Sequence, residues 1–350
     1  MNSSSVKDST ICKQFEAPHL FSVTKENFDQ AALSLFRWQA EYVLVYKRYL
    51  NYLKVQAKDI HTIQDIPYLP ITFFKSQTVL ANSFTPEVIY KSSGTGGNRS
   101  QHLVANTAHY LTNSRAIFEQ QYSSLKGFHV LALLPSYLEQ GDSSLVAMVS
   151  DFINESQPAA RNGGSSLSGF FLDDWSKLSR ALAEAKQTDR KTLFIGVTYA
   201  LLDFAESHPQ DLSHCIIMET GGMKGRKKEM TRTEVHRQLC AAFQSTEIHS
   251  EYGMTELLSQ AYAKKGGLFS TPPWMKATTR QLNDPFQAQL NGRQGVLQFI
   301  DLANYASCAF IETQDMGIVY DSGDFEVIGR MDNSESRGCS LMYTDKKMSN

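Results

Sequence analysis

Net charge is nearly absent from this chain. Its 34 basic and 36 acidic residues leave a formal charge of -2, so no global field points to nucleic acid or to an anionic membrane surface. Any anionic ligand must therefore be held locally. The five cysteines, Cys12, Cys215, Cys240, Cys308 and Cys339, include no C-x-x-C pair and no metal-type spacing. Their odd number argues against a disulfide framework and for reduced thiols in a cytoplasmic compartment. No apolar run approaches the about 18 residues that a membrane span needs, and the N-terminus lacks a signal-like apolar stretch. A G-x-x-x-x-G-K-[ST] phosphate loop is missing. So is a G-x-S-x-G nucleophile elbow, despite the "GDSSL" at 141 to 145, which sets a serine hydrolase aside. His102, His109, His129 and His249 stand at no metal or triad spacing and read as core or surface side chains. The chain holds neither an internal repeat nor a low-complexity tract.

What is present is enough apolar residue, 42% of 350, to bury a sizeable core. Aromatic and aliphatic residues recur at three- and four-residue intervals from Phe28 to Leu53, which predicts an amphipathic helix or helix pair. Short apolar runs at Val130 to Leu134, Leu193 to Ile195 and Cys215 to Met218 each precede a helical pattern: Ser143 to Ile153, Thr198 to Glu206 and Arg232 to Phe243. That alternation predicts βα units on a buried, mostly parallel sheet. Thr231 and Glu234 have the spacing of a capping box ahead of the third helix. From about Gly292 the pattern turns to short β-type runs broken by Gly and Asp, a smaller β-rich section. Cys215, Cys240 and Cys308 read as interior.

Three stretches carry chemistry. "SSGTGGNRS" (Ser92 to Ser100) leaves the β-prone Val88-Ile89-Tyr90 with three glycines and four hydroxyls. Glycines let successive N–H groups converge on one concavity, and the hydroxyls add donors, so phosphate oxygens would be well met there; a plain hairpin loop has similar composition. "SEYGMTE" (Ser250 to Glu256), after an expected strand at Glu247 to His249, offers a ring that could stack on a base and a carboxylate that could hold a divalent cation; it could equally open a helix on a buried Tyr. "YDSGDFEVIGRMD" offers Asp324 for two ribose hydroxyls and Arg330 as a planar cation, or a turn and a surface charge.

In this order the stretches resemble the adenylate-forming superfamily of acyl-CoA synthetases, luciferase-type enzymes and phenylacetate-CoA ligases. "ETGGMKG" (Glu219 to Gly225) is similar to its adenine-contacting glycine pair. Within the superfamily, "IPYLPITFFKS", "LPSYLEQGDSSLVAM" and "RGCSLMY" resemble the acyl-protein synthetase branch that serves the fatty-acid reductase of bacterial luminescence. The resemblance implies an α/β fold, the large N-terminal domain of an adenylate-forming enzyme: β-sheets layered with helices, a small β-rich section, and a C-terminal lid domain missing or vestigial. On that basis 1–60 is expected as an N-terminal helical region, 61–328 as the core domain and 329–350 as a hinge remnant with a short tail.

The implied activity is ATP-dependent formation of a fatty acyl-adenylate, then transfer of the acyl group to a cysteine thiol. Ser92, Ser93, Gly94, Thr95, Gly96, Gly97 and Ser100 would hold the β- and γ-phosphates, Thr255 the α-phosphate, and Glu256 a Mg²⁺. Tyr252, Gly253, Gly221 and Gly222 would frame adenine, with Asp324 and Arg330 at the ribose and hinge. Cys339, in the terminal tail, is the expected acceptor, and an acyl reductase or an acyl-carrier protein the expected partner. The superfamily's C-terminal lysine has no counterpart, so Lys75, Lys91 or the run Lys224 to Lys228 would have to replace it. Its absence makes a scaffold that binds nucleotide and acyl chain without turnover one alternative; a CoA ligase is another, which the reduced lid domain counts against.

Overall fold

A computed structural model describes residues 20–93, 99–134, 142–157, 167–172, 174–221 and 230–331. The chain enters through α1 (Phe28–Tyr42) and α2 (Leu44–Tyr52). They form a pair because Val43 turns extended (φ -90°, ψ 95°) and interrupts the helical run. Their buried stripe packs on the β-rich half, with Phe36 and Tyr46 meeting Phe310 at 5.8 and 6.1 Å between centroids. Short β1 (Leu69–Pro70) and α3 (Phe73–Ser76) lead to the hairpin β2 (Val88–Lys91) and β3 (Gln101–Val104). Helix α4 (Thr107–Tyr122) follows, with the Asn106 side chain accepting from His109 N at 2.8 Å as its cap.

The predicted βα units are realised as β4 (Phe128–Leu133) with α5 (Ser144–Glu155), β6 (Lys191–Val197) with α7 (Thr198–Ser207), and β7 (Cys215–Thr220) with α8 (Arg232–Phe243); β5 (Gly169–Phe170) and α6 (Trp175–Ala185), unremarked in the sequence, stand between the first two units. The capping box at Thr231 and Glu234 forms with both of its hydrogen bonds. Then come β8 (His249–Tyr252) and β9 (Ala261–Ala263). These strands make one sheet in the order β5-β4-β6-β7-β8-β9, parallel except for β9. Strand β4 is buried along its whole length and β6 along all but its first residue, as strands covered on both faces must be.

The second sheet is antiparallel, with β10 (Leu268–Phe269), β14 (Phe325–Arg330), β13 (Phe310–Val319), β12 (Gln294–Asp301) and β11 (Met275–Arg280) in that order, and β1 parallel to β13. A bridge between Tyr262 and Ser270 links the sheets. One hydrophobic cluster runs through both, from Leu20 to Phe325. Two expectations are corrected. The strand ahead of "YGMTE" is His249–Tyr252 rather than 247 to 249, because pairing with β7 sets its register. The β-rich portion begins at β8, well before Gly292, since β9 to β11 are short and weakly patterned. Cys215 and Cys308 are buried, whereas Cys240 is half-buried at the edge of a cleft of about 470 Å³.

Candidate functional site

The hairpin brings Ser92 and Ser100 together at the base of the glycine-rich loop. Ser92 N donates to Ser100 O, and Ser100 N to Ser92 Oγ, both at 3.0 Å. Arg99, unremarked in the sequence, closes the base: it donates to the carbonyls of Ser92 and Lys91 and pairs with Asp142 at 3.1 Å. Lys91 also meets Asp142, at 3.3 Å. Burial alone would raise the Asp142 carboxyl, but these two cations hold it below its ordinary range. Lys91 is thus engaged at the loop base. Gly94, Thr95, Gly96 and Gly97 lie outside the described residues, as do Gly222, the run Lys224 to Lys228, and Cys339.

The turn after β8 meets this base. Glu256 is buried, and burial raises its carboxyl above the usual value by more than the Ser100 side chain and the charges of Arg330 and Lys75 lower it. A buried carboxylate with so little local compensation suits a cation. Of the two candidate replacements among the described residues, Lys75 and Lys91, it is Lys75 whose charge lowers Glu256. Tyr252 donates its hydroxyl to Asp315 Oδ2 at 2.8 Å, and Arg330 Nε stands 3.8 Å from Asp315 Oδ1. The Tyr252 ring sits among Phe269, Phe299 and Phe325 at 5.3 to 5.8 Å, leaving 8% of the residue exposed. Only a small part of that ring is open to a base.

Gly221, at φ +71°, follows β7 as Tyr252 ends β8, and the register Thr220 to Glu251 sets them side by side at the carboxyl ends of parallel strands. Ligands of open α/β sheets gather there. Thr198 Oγ donates to Gly221 O at 2.9 Å, which fixes the glycine. A Cβ at Gly253 would displace the Glu251 carboxylate beside it.

Asp324 lies at the other end of β14 from Arg330. Its carboxylate accepts from Ser270 and Ser322 at 2.6 and 2.9 Å, and it lies before the first residue of β14, whereas Arg330 ends that strand. That is roughly 15–20 Å of strand. The acid beside Tyr252 and Arg330 is Asp315, in "ETQDM", which sequence reasoning passed over because no glycine marks it.

Sequence reasoning also missed the frame behind the turn. His102 Nδ1 lies 2.8 Å from Thr255 O and its Nε2 3.0 Å from Ser307 Oγ. Asn304 donates to Glu256 O at 2.9 Å. Asp301 accepts from Leu258 N, Ser259 N, Ser259 Oγ and Ala303 N. These groups are buried and polar, with no periodic mark.

With that geometry in view, the known proteins it matches are informative. No family model matches the chain. A long-chain-fatty-acid–luciferin-component ligase from Aliivibrio fischeri is 23% identical over 329 residues, spanning 84% of this chain and 82% of the relative. ATP-bound MatB from Rhodopseudomonas palustris superposes with a TM-score of 0.52 at 16% identity, over 69% of this chain and 47% of MatB. A 2-hydroxyisobutyryl-CoA ligase in complex with 2-HIB-AMP and CoA gives 0.62 at 10% identity, over 87% and 75%. The chain has the adenylate-forming ligase fold. It spans about half the length of MatB, and more of the other two. No helix among the described residues is long and apolar enough to cross a membrane.

Proposed function

We propose that this chain activates a fatty acid with ATP as an acyl-adenylate and passes the acyl group to a thiol, Cys339 first and a partner acyl reductase or acyl-carrier protein next. The observation that carries the reading is the meeting of the hairpin that bears the glycine-rich loop with the turn that holds buried Glu256, where His102 Nδ1 lies 2.8 Å from Thr255 O, with Tyr252, Asp315 and Arg330 alongside.

In the first step a carboxylate oxygen attacks the α-phosphorus, an O–P bond forms, and the bond to the bridging oxygen breaks to release pyrophosphate. The nucleophile is already an anion, so no side-chain base is required. Alignment and donors that meet charge on the phosphoryl oxygens lower the barrier. The loop from Ser92 to Ser100 holds the β- and γ-phosphates, Thr255 the α-phosphate, and Gly221, Gly222, Tyr252 and Gly253 border the adenine. The ribose falls to Asp315 rather than Asp324, because Asp315 is the acid that stands beside Tyr252 and Arg330. Among the described residues, Arg330 and Lys75 are the cations whose charge lowers Glu256. Among the described residues no group of three or more His, Cys, Asp or Glu is set for a metal. Glu256 is the residue that would hold a Mg²⁺ here, and the ion would supply charge neutralisation. In the second step the thiolate sulfur attacks the acyl carbon, a C–S bond forms, the C–O bond to phosphate breaks, and AMP departs. A reducing, cytoplasmic setting suits that thiol.

The test is acid-dependent ATP–pyrophosphate exchange from acetate to stearate, together with labelling by radioactive tetradecanoate. Hydroxylamine-sensitive labelled protein is expected, and Cys339→Ser should abolish the label while exchange persists. Absence of exchange with every acid would leave a nucleotide-binding scaffold. Acyl-CoA formation undiminished in the Ser variant would make CoA the acceptor, as in the CoA-bound ligase of similar fold.

A further inference from the structure

The clearest unassigned group around the turn is the imidazole of His102. Strand β3 continues directly from the glycine-rich loop, and side chains two apart on a strand share a face. Ser100 and His102 therefore both address the turn. Ser100 lowers the pKa of the buried Glu256 carboxyl, and His102 meets the carbonyl of Thr255. A carbonyl oxygen only accepts, so Nδ1 must carry the proton, which leaves Nε2 to accept from the Ser307 hydroxyl at 3.0 Å. The ring is buried, and Phe74 stands edge-on to it at 5.6 Å. Burial pushes its pKa down to about 4, so the ring is neutral near pH 7.

The Thr255 carbonyl belongs to the peptide that joins Thr255 to Glu256. Its orientation sets where both side chains point. The next carbonyl, Glu256 O, is held by Asn304 from the other side. His102 is thus the link that puts the loop strand and the turn in one rigid frame.

We propose that His102 is a positioning residue for adenylate formation, its neutral Nδ1–H tautomer aligning Thr255 and Glu256 with the phosphate loop. This rests on the adenylation reading above. It acts through Thr255 and Glu256 and touches no reacting atom.

The experiment compares two amides in the full chain. Asn places its N–H where Nδ1 stands and can keep the bond to Thr255 O; Gln reaches toward the Nε2 position and loses it. In acid-dependent ATP–pyrophosphate exchange, His102→Gln should lower kcat by roughly 10- to 100-fold with little change in KM for ATP, as a small misplacement of reacting groups does. His102→Asn should stay within about threefold of wild type. Equal losses in both, or losses that follow a common drop in thermal stability, would overturn the proposal. Histidine-selective ¹⁵N NMR of the wild type decides the tautomer independently of activity: a protonated Nδ1 with an unprotonated Nε2 is expected at neutral pH. The reverse tautomer or an imidazolium would overturn the inference even in an active enzyme. A wild type without exchange would instead remove the functional reading, while the NMR result still judged the hydrogen bond.

Discussion

Glu251 is a residue through which pH should reach the stability of this fold. It sits on β8 beneath Gly253, 6% exposed, with Thr220 Oγ donating to one carboxylate oxygen and Glu219 on the neighbouring strand. Burial, and secondarily the Glu219 charge, outweigh the Thr220 hydrogen bond and raise its carboxyl from 4.5 to about 7. The folded state therefore favours the neutral acid. The stability this confers is complete below pH 4.5 and lost as pH rises through about 7, because the unfolded chain ionises first. At about 1.4 kcal/mol per pH unit, the full loss is roughly 3 kcal/mol. Glu251→Gln cannot ionise, and its amide oxygen can still accept from Thr220. Urea midpoints for wild type and variant between pH 5 and pH 8 should therefore diverge. The variant's advantage should grow by roughly 2–3 kcal/mol over that range, provided the urea dependence of stability is unchanged. Parallel pH profiles would refute the reasoning, since they would mean that Glu251 ionises alike in both states.

Three other outcomes are expected. Asp315→Asn should raise KM for ATP about tenfold or more while Asp324→Asn stays within about threefold, since a hydrogen bond to a charged acceptor is worth about 1.5–3 kcal/mol; initial-rate kinetics on both variants checks this, and the opposite order would return the ribose to Asp324. Asp301→Ala leaves Leu258 N, Ser259 N and Ala303 N without the acceptor they share, and should cost about 3–5 kcal/mol in urea denaturation. At Gly317, where the β13–β14 register shifts, a Cβ would collide with Glu326 O, so Gly317→Ala should destabilise by about 1–3 kcal/mol, seen as a lowered Tm.

Local features of the chain were legible wherever one segment carries its own signal. The helix from Arg232 to Phe243 announces itself by a capping box three residues wide, and β4, β6 and β7 by apolar runs that need both faces covered. Helix α4 gave no such notice. Its buried face includes Asn113 and Ser114, which interrupt the hydrophobic stripe: Asn113 serves the polar frame under the turn, and Ser114 donates back to Tyr110 O in its own helix. For the site, the glycine-hydroxyl loop and "YGMTE" could be picked out because backbone freedom and residue type are themselves local facts. Which aspartate stands near Arg330 is not local: Asp315 and Asp324 sit nine positions apart on a β-hairpin, and only the β13–β14 register decides that the first meets Arg330 and Tyr252. The same holds for His102, whose partners are 153 and 205 residues away in sequence. Sequence by itself determined the elements and the chemistry they could carry, since periodicity, caps and glycines act within a few residues. Tertiary structure alone decided which polar groups face one another, because pairing across strands depends on register and burial that no short stretch contains.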